Sequence, residues 1–261
     1  MKWWNDLWLN ESFATFMSYK AMDAVFPEWD MKTQYFDDTI ATAFSADSIK
    51  STHPISVHIS TPEDIESIFD EISYEKGGTV LHMLENFAGQ ETFRKGLHIH
   101  LKRHAYGNAT KFDLWGAIGE ASGGVRGKSA ITKVANYWID EPGYPMVTVD
   151  RKGESLELRQ KRFMILEEKL PKRQVWPIPV YYASEKMDEP RFMMLDRERG
   201  IIALHGSRWA KLNFGHHYLY RVRYPGPMLA QLGAPARALL PLLSSVLSLR
   251  RSSHRQEARF P

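Results

Sequence analysis

Two short strings in this sequence carry side chains with catalytic potential. In Trp8-Leu9-Asn10-Glu11-Ser12-Phe13-Ala14 a carboxylate stands at the head of an apolar-periodic segment. It could ligate a metal. An acidic residue at a helix N-terminus also complements the helix dipole, and a zinc site takes three or four ligands rather than one. In Ile72-Ser73-Tyr74-Glu75-Lys76-Gly77-Gly78 a phenol falls in the first turn of another segment. Such a tyrosine ordinarily packs its ring and leaves its hydroxyl at the surface. The glycine pair asks for more, because two glycines inside a helix cost about 1 kcal/mol each relative to alanine. Close approach of another backbone or of a ligand would explain them. His98, His100 and His104 share one predicted helix, and the last two have the i, i+4 spacing of a zinc pair. No glutamate follows His100, and Lys102 and Arg103 intervene, so these histidines read as a solvated face. His216-His217 reads as a turn or strand-end pair.

The elements that must hold these residues divide into two kinds. Over residues 1–140 the apolar positions recur at helical spacing: Phe13, Phe16, Met17 and Ala21; Phe36, Ile40 and Ala43; Tyr74, Leu81, Leu84 and Ala88, stopped by Gly89; Phe93, Leu97 and Leu101; and Ile131, Val134, Ala135 and Trp138. Thr110 and Asp113 have the spacing of a capping box ahead of Leu114, Trp115 and Ile118. Glu141-Pro142-Gly143-Tyr144-Pro145 then ends the helical pattern. From there to Tyr224 the runs are short, alternating and rich in β-formers: 146–149, 156–163, 176–182, 191–195, 201–204 and 218–224. The fold class expected is mainly α followed by all-β, the second part a small antiparallel β-sandwich. A helix could start after Pro225-Gly226-Pro227, but Arg250–Pro261 and the stretch before it show no stable amphipathic period. The expected domains are therefore 1–143, helical; 144–225, a β-sandwich; and 226–261, the start of a helical domain with an aberrant or disordered tail.

Composition narrows the function classes. The chain has 261 residues, of which 43% are hydrophobic and 25% charged, in the range of a globular protein. Eight Trp, eleven Tyr and thirteen Phe are enough to fill a sizeable core. A net charge of +3, much of it from Arg250, Arg251, Arg255 and Arg259, gives no basis for nucleic-acid binding. With no cysteine there is no disulfide framework, which is compatible with a reducing compartment. Met1–Asp6 lacks the apolar run of a secretory signal, and Ala238–Leu249 contains Pro241 and is too short to span a bilayer. The expectation is a cytoplasmic protein that engages neither membrane nor nucleic acid.

The two strings, in their order and spacing, resemble the zinc aminopeptidases of the gluzincin class, notably the tricorn-interacting-factor and puromycin-sensitive branch. In that family H-E-x-x-H is followed by the glutamate of a W-L-N-E-G-F-A string, matched here except that Ser12 replaces the glycine. Tyr74-Glu75-Lys76-Gly77 matches the family's Y-x-K-G. Ser51-Thr52-His53-Pro54-Ile55, Asn108-Ala109-Thr110, Asp113-Leu114-Trp115 and Pro142-Gly143-Tyr144-Pro145 extend the likeness, which runs to about residue 232. The resemblance implies that residues 1–143 are the helical half of a thermolysin-like catalytic domain. It implies that Glu11 is the third zinc ligand, that Tyr74 is the transition-state stabiliser, and that Asn10 is at most a supporting group. A carboxylate oxygen completes a catalytic zinc while leaving a position for water, and a phenol can donate to a developing oxyanion.

The sequence departs from the family where it matters most. It contains no H-E-x-x-H and no G-A-M-E-N-type loop for the substrate's free amine. Met1-Lys2-Trp3-Trp4 corresponds to an interior stretch of the family, so the start reads as an internal methionine or a truncated gene. The expectation is a zinc aminopeptidase by descent, acting on peptide substrates and partnered by the missing N-terminal segment of the same enzyme. The chain alone is expected neither to hold zinc nor to hydrolyse peptides. The alternatives are a non-catalytic interaction scaffold and a non-functional gene fragment.

Overall fold

The computed structural model describes residues 1–123, 127–166 and 173–232. Helices come first. α1 (Trp8–Val25) leads into α2 (Met31–Tyr35), a π-helical turn (Phe36–Ile40) and α3 (Ala41–Ala46). After α4 (Pro62–Ser67), a second π-helical turn (Ile72–Lys76) runs directly into α5 (Gly77–Ala88). α6 (Gln90–Arg103), α7 (Lys111–Ala121) and α8 (Lys128–Asp140) complete the helical body.

Local chemistry accounts for several of these boundaries. Gly89, at φ 91°, ends α5 in a backbone conformation that side chains resist. Thr110 and Asp113 form the reciprocal capping box at the head of α7, and Thr61 with Asp64 does the same for α4. The periodic positions of α8, namely Ile131, Val134, Ala135 and Trp138, are all buried. Trp8 stacks on Trp115 with centroids 5.7 Å apart, joining α1 to α7.

Strands begin at β1 (Pro145–Lys152), followed by β2 (Ser155–Arg162), β3 (Ile178–Ser184), β4 (Arg191–Leu195), β5 (Arg199–Ala203), β6 (Ala210–Leu212) and β7 (Arg221–Arg223). They form a four-stranded sheet in the order β5-β2-β1-β7 and a three-stranded sheet in the order β4-β3-β6. The β1–β7 pair is parallel, so the first sheet is mixed and not purely antiparallel. Residues 153–220 separate β1 from β7, and a connection of that length allows parallel pairing. The three-residue β6 was not anticipated, and β7 is confined to the last part of the expected 218–224 run.

Inward positions alternate along β1 (Val147, Val149) and β2 (Leu156, Leu158), as a half-buried sheet requires. The inward Gln160 is polar yet fully used. Its amide nitrogen donates to the carbonyls of Trp176 (2.8 Å) and Arg197 (2.9 Å), and its oxygen accepts from Trp176 N–H at 2.8 Å.

The helical and β parts share one continuous core. Trp138 of α8 packs against Trp176 and donates its indole N–H to Pro177 O at 3.3 Å. Tyr144 donates to Phe44 O at 2.9 Å, and the Arg221 guanidinium lies over the Phe44 and Phe163 rings. Residues 226–232 are helical, whereas the tail expected to be aberrant, after about Ala234, lies outside the described residues. Among the described residues no helix is long and apolar enough to cross a membrane.

Candidate active site

Glu11 sits in the first turn of α1, partly buried. Tyr74 sits in the π-helical turn Ile72–Lys76. Single π-turns inserted at the head of a helix are uncommon and recur at functional sites, because the added residue re-aims the side chains around it. α1 crosses this turn closely, and the crossing brings the two side chains together: the Glu11 carboxylate is near enough to the Tyr74 hydroxyl to perturb its titration. Loss of surrounding water raises the Tyr74 pKa first, and the hydrogen bond and charge of Glu11 raise it further, with a smaller push from Glu75. The phenol is therefore protonated, and a donor, at neutral pH.

The crossing is fixed by the neighbours of these two residues. Ser12 is fully buried and donates its hydroxyl to Ser73 O at 2.7 Å. One bond thus ties the residue after Glu11 to the residue before Tyr74. Gly77 explains how close the elements come, because a Cβ at that position would lie 1.8 Å from Ser12 Oγ. A Cβ at Gly78 would lie 3.2 Å from the Tyr35 hydroxyl. The glycine pair serves the close approach of another element, one of the two reasons that its sequence suggested. Asn10 is exposed on α1.

Two further polar pairs support the π-turn. Lys76 and Asp47 form an ion pair at 2.9 Å with both side chains completely buried. The Lys76 ammonium also donates to Glu141 O (3.3 Å) and Gly143 O (3.5 Å), and Asp47 accepts from Gly143 N–H and the Thr52 hydroxyl, each at 2.8 Å. The lysine of the Tyr74-Glu75-Lys76-Gly77 string is thus a buried anchor between the turn and the α8–β1 junction. His53 and Asp70 make the second pair, at 2.7 Å. Nothing in the sequence pointed to either pairing, since Asp47 and Asp70 stand in no motif. The only hints were His53 inside Ser51–Ile55 and Lys76 inside its own string.

The histidines go elsewhere. His98 is exposed, and the His100 and His104 rings lie 5.1 Å apart, with burial and the neighbouring His104 lowering the pKa of His100. His217, in the turn after β6, meets His82 of α5 at 3.2 Å. Burial, with the charges of His217 and Lys20, pushes the His82 pKa down to about 3, so that ring is neutral. These two histidines, with Phe16, Lys20, Tyr35 and Glu85, line a cavity of about 550 Å³. Neither Glu11 nor Tyr74 lines it, so the largest chemical interest and this cavity do not coincide.

Residues 1–138 of the 261 match the Peptidase family M1 domain. The chain belongs to peptidase family M1. It is 41% identical over 226 residues to Tricorn protease-interacting factor F2 of Thermoplasma acidophilum, an overlap covering 87% of this chain and 27% of that protein. It is 38% identical over 225 residues to leucyl aminopeptidase of Saccharolobus solfataricus (86% and 28%). It is 36% identical over 244 residues to Aminopeptidase M1-D of Oryza sativa subsp. japonica (89% and 27%). The chain thus spans little more than a quarter of the length of the curated relatives it matches. Glu11 and Tyr74 both fall inside the M1 match.

The M1 peptidases are generally zinc-dependent. A catalytic zinc takes three protein ligands and keeps an open position. Among the described residues no three His, Cys, Asp or Glu side chains converge in a way that could hold a metal. Glu11 can supply one carboxylate oxygen toward such a site; the described residues by themselves do not make a complete one.

Proposed function

We propose that this chain carries part of the active site of a zinc-dependent aminopeptidase, with Glu11 as one carboxylate ligand of the metal and Tyr74 as the oxyanion donor. Its substrates are peptides, cleaved after the N-terminal residue. The observation that carries the reading is the meeting of Glu11 and Tyr74 across a locked helix crossing, although 63 positions separate them in sequence (74 − 11). Two packing residues would have no reason to bring a carboxylate and a protonated phenol together at one partly buried spot.

Tyr74 has a defined task in this reading. Attack on a peptide carbonyl concentrates negative charge on its oxygen, and a preorganised phenol O–H meets that charge without reorganising. The carboxylate of Glu11 lies beside the hydroxyl and keeps it protonated, and the Ser12–Ser73 bond keeps the two residues in register. Because the charge exists mainly in the transition state, Tyr74 contributes to turnover more than to substrate affinity.

The test is Tyr74→Phe, assayed in a polypeptide to which the H-E-x-x-H segment has been supplied, fused or in trans. Removing one oxyanion donor lowers kcat by about 10²–10³-fold in comparable sites. A fall of that order with KM nearly unchanged is expected. An equal rise in KM with kcat intact would instead make Tyr74 a substrate-binding residue and defeat the assignment.

A further inference from the structure

His53 and Asp70 lie on neither of the two strings that carry the proposed chemistry, yet they stand directly beneath the Tyr74 turn. The environment of His53 fixes its protonation by geometry. Its Nδ1 is 2.7 Å from Pro54 O and its Nε2 is 2.7 Å from Asp70 Oδ2. Both neighbours are acceptors, a carbonyl and a carboxylate, so only the doubly protonated ring satisfies both. Asp70 in turn holds the start of the π-turn. Its Oδ1 accepts the backbone N–H groups of Ile72 (3.0 Å) and Ser73 (3.1 Å), and its own carbonyl accepts Tyr74 N–H at 3.1 Å. These are the first-turn donors that a helix cannot satisfy internally.

We propose that protonated His53 is a positioning residue for Tyr74, acting through Asp70. The imidazolium fixes one carboxylate oxygen, and the other then clamps Ile72 N–H and Ser73 N–H, which with the Asp70 carbonyl's hold on Tyr74 N–H sets the three backbone positions that carry the phenol. This inference rests on the role given to Tyr74 above. It adds a proton-dependent control of where that side chain sits.

The surrounding charges leave the pair free to act as a unit. Lys76, on the π-turn, opposes protonation of His53, but its ammonium is engaged by buried Asp47. Glu75 and Glu71 are the carboxylates on the Asp70 side; burial first, and then the charges of Glu71 and Asp70, push the Glu75 pKa up. The hydrogen bond to Asp70 is the largest influence on His53 and raises its pKa, with burial working against it. Asp70 is lowered overall: burial is the largest influence and opposes this, and the His53 bond and charge with the two N–H donors outweigh it. The sign follows for each. The contribution of a histidine with a raised pKa is complete below its ordinary value near 6.5 and disappears as pH rises through the folded value. That of an aspartate with a lowered pKa is complete above about 3.9 and disappears as pH falls through the folded value. The clamp is thus whole in mildly acid solution and opens on the alkaline side.

Amide hydrogen exchange of the full chain, read by NMR across pH 5 to 9 as protection relative to intrinsic rates, tests this. Protection at Ile72, Ser73 and Tyr74 is expected to fall about tenfold as pH rises through the His53 titration, the loss of one charge-assisted hydrogen bond. Leu81 and Leu84 in the core of α5 should keep theirs. His53→Gln, which keeps a donor toward Asp70 but cannot titrate, should flatten the pH profile at the three amides. Asp70→Asn should lower their protection at every pH and return the His53 titration to the ordinary value or below. Three results would overturn the proposal: an ordinary His53 pKa in the unaltered chain, a flat profile at residues 72–74, or equal losses at Leu81 and Leu84. The exchange readout does not depend on catalysis. A Tyr74→Phe variant with undiminished kcat would sink the proposed function while leaving the His53 control of the turn standing, and the converse pair of results would do the reverse.

Discussion

Lys76 occupies the least accessible place that a charged side chain can have, with no solvent exposure on it or on Asp47. A buried pair of this kind adds little net stability over an apolar pair of the same shape, because desolvation offsets the attraction. Its loss on one side only is a different matter, since the remaining charge has no water to turn to. Lys76→Met leaves Asp47 buried with two neutral donors, Gly143 N–H and the Thr52 hydroxyl. A destabilisation of about 3–5 kcal/mol is expected, read as a shift of the urea midpoint at constant slope. Asp47→Asn should cost a comparable amount for the opposite reason, because it strands the ammonium. If Lys76→Met lowered stability by less than about 1 kcal/mol, the pair would not be the anchor between π-turn and junction that its geometry describes. Glu11 and Tyr74 could be picked out in the sequence because each sits in a string of matching neighbours. Asp47 and Asp70 could not: each acts through a partner a long way off in the chain, and spacing carries no record of such pairings.

At the scale of elements, the crossing of α1 over the π-turn is where sequence and packing constrain each other most tightly. Gly77→Ala would place a Cβ at 1.8 Å from Ser12 Oγ and 2.9 Å from Ser12 Cβ. Neither is the far end of a flexible chain, and Ser12 Oγ is already committed to Ser73 O. Overpacking of this kind costs about 1–3 kcal/mol, plus the lost hydrogen bond if Ser12 turns away. Ser12→Gly removes both clashing atoms, so the double variant should recover most of the loss of Gly77→Ala. A double-mutant cycle by urea unfolding should give a coupling of at least about 1 kcal/mol; simple additivity would mean that the two elements do not meet there. The run from Tyr74 to Ala88 reads as one helix because its apolar positions keep their period. The π-turn at its head is set by the tertiary crossing and leaves no trace in that pattern. The capping box at Thr110 is the opposite case, local and therefore readable. β6 was missed because three residues cannot show alternation, and the β1–β7 direction because parallel pairing depends on the route of the connection, not on the strand.

For the molecule as a whole, the helix-breaking Glu141–Pro145 segment marks a change of structure type without interrupting the core. Trp138 just precedes it and Tyr144 lies within it, and both are fully buried, one against Trp176 and the other against Phe44 and Phe163. Gly143 N–H and Gly143 O are bound by Asp47 and Lys76 from the helical body. A junction tied in this way transmits stability from one side to the other, and a loose linker does not. The helical and β parts should accordingly unfold together. Far-ultraviolet signal at the helical minimum and tryptophan fluorescence, which reports Trp176 and Trp209 as well as the helical tryptophans, are expected to give coincident urea transitions. Trp138→Ala removes the largest side chain at the boundary and the donor to Pro177 O, at a cost of about 3–5 kcal/mol. Both probes should then move by the same amount. A shift confined to fluorescence, with the helical signal unchanged, would mean that the β part unfolds separately and that the continuous core is only contact between two independent bodies. Coincidence has a consequence for the site. The α1 crossing and the π-turn would draw on the stability of the sandwich through Asp47 and Lys76, so a lesion at Trp138 should loosen the meeting of Glu11 and Tyr74 without touching either residue.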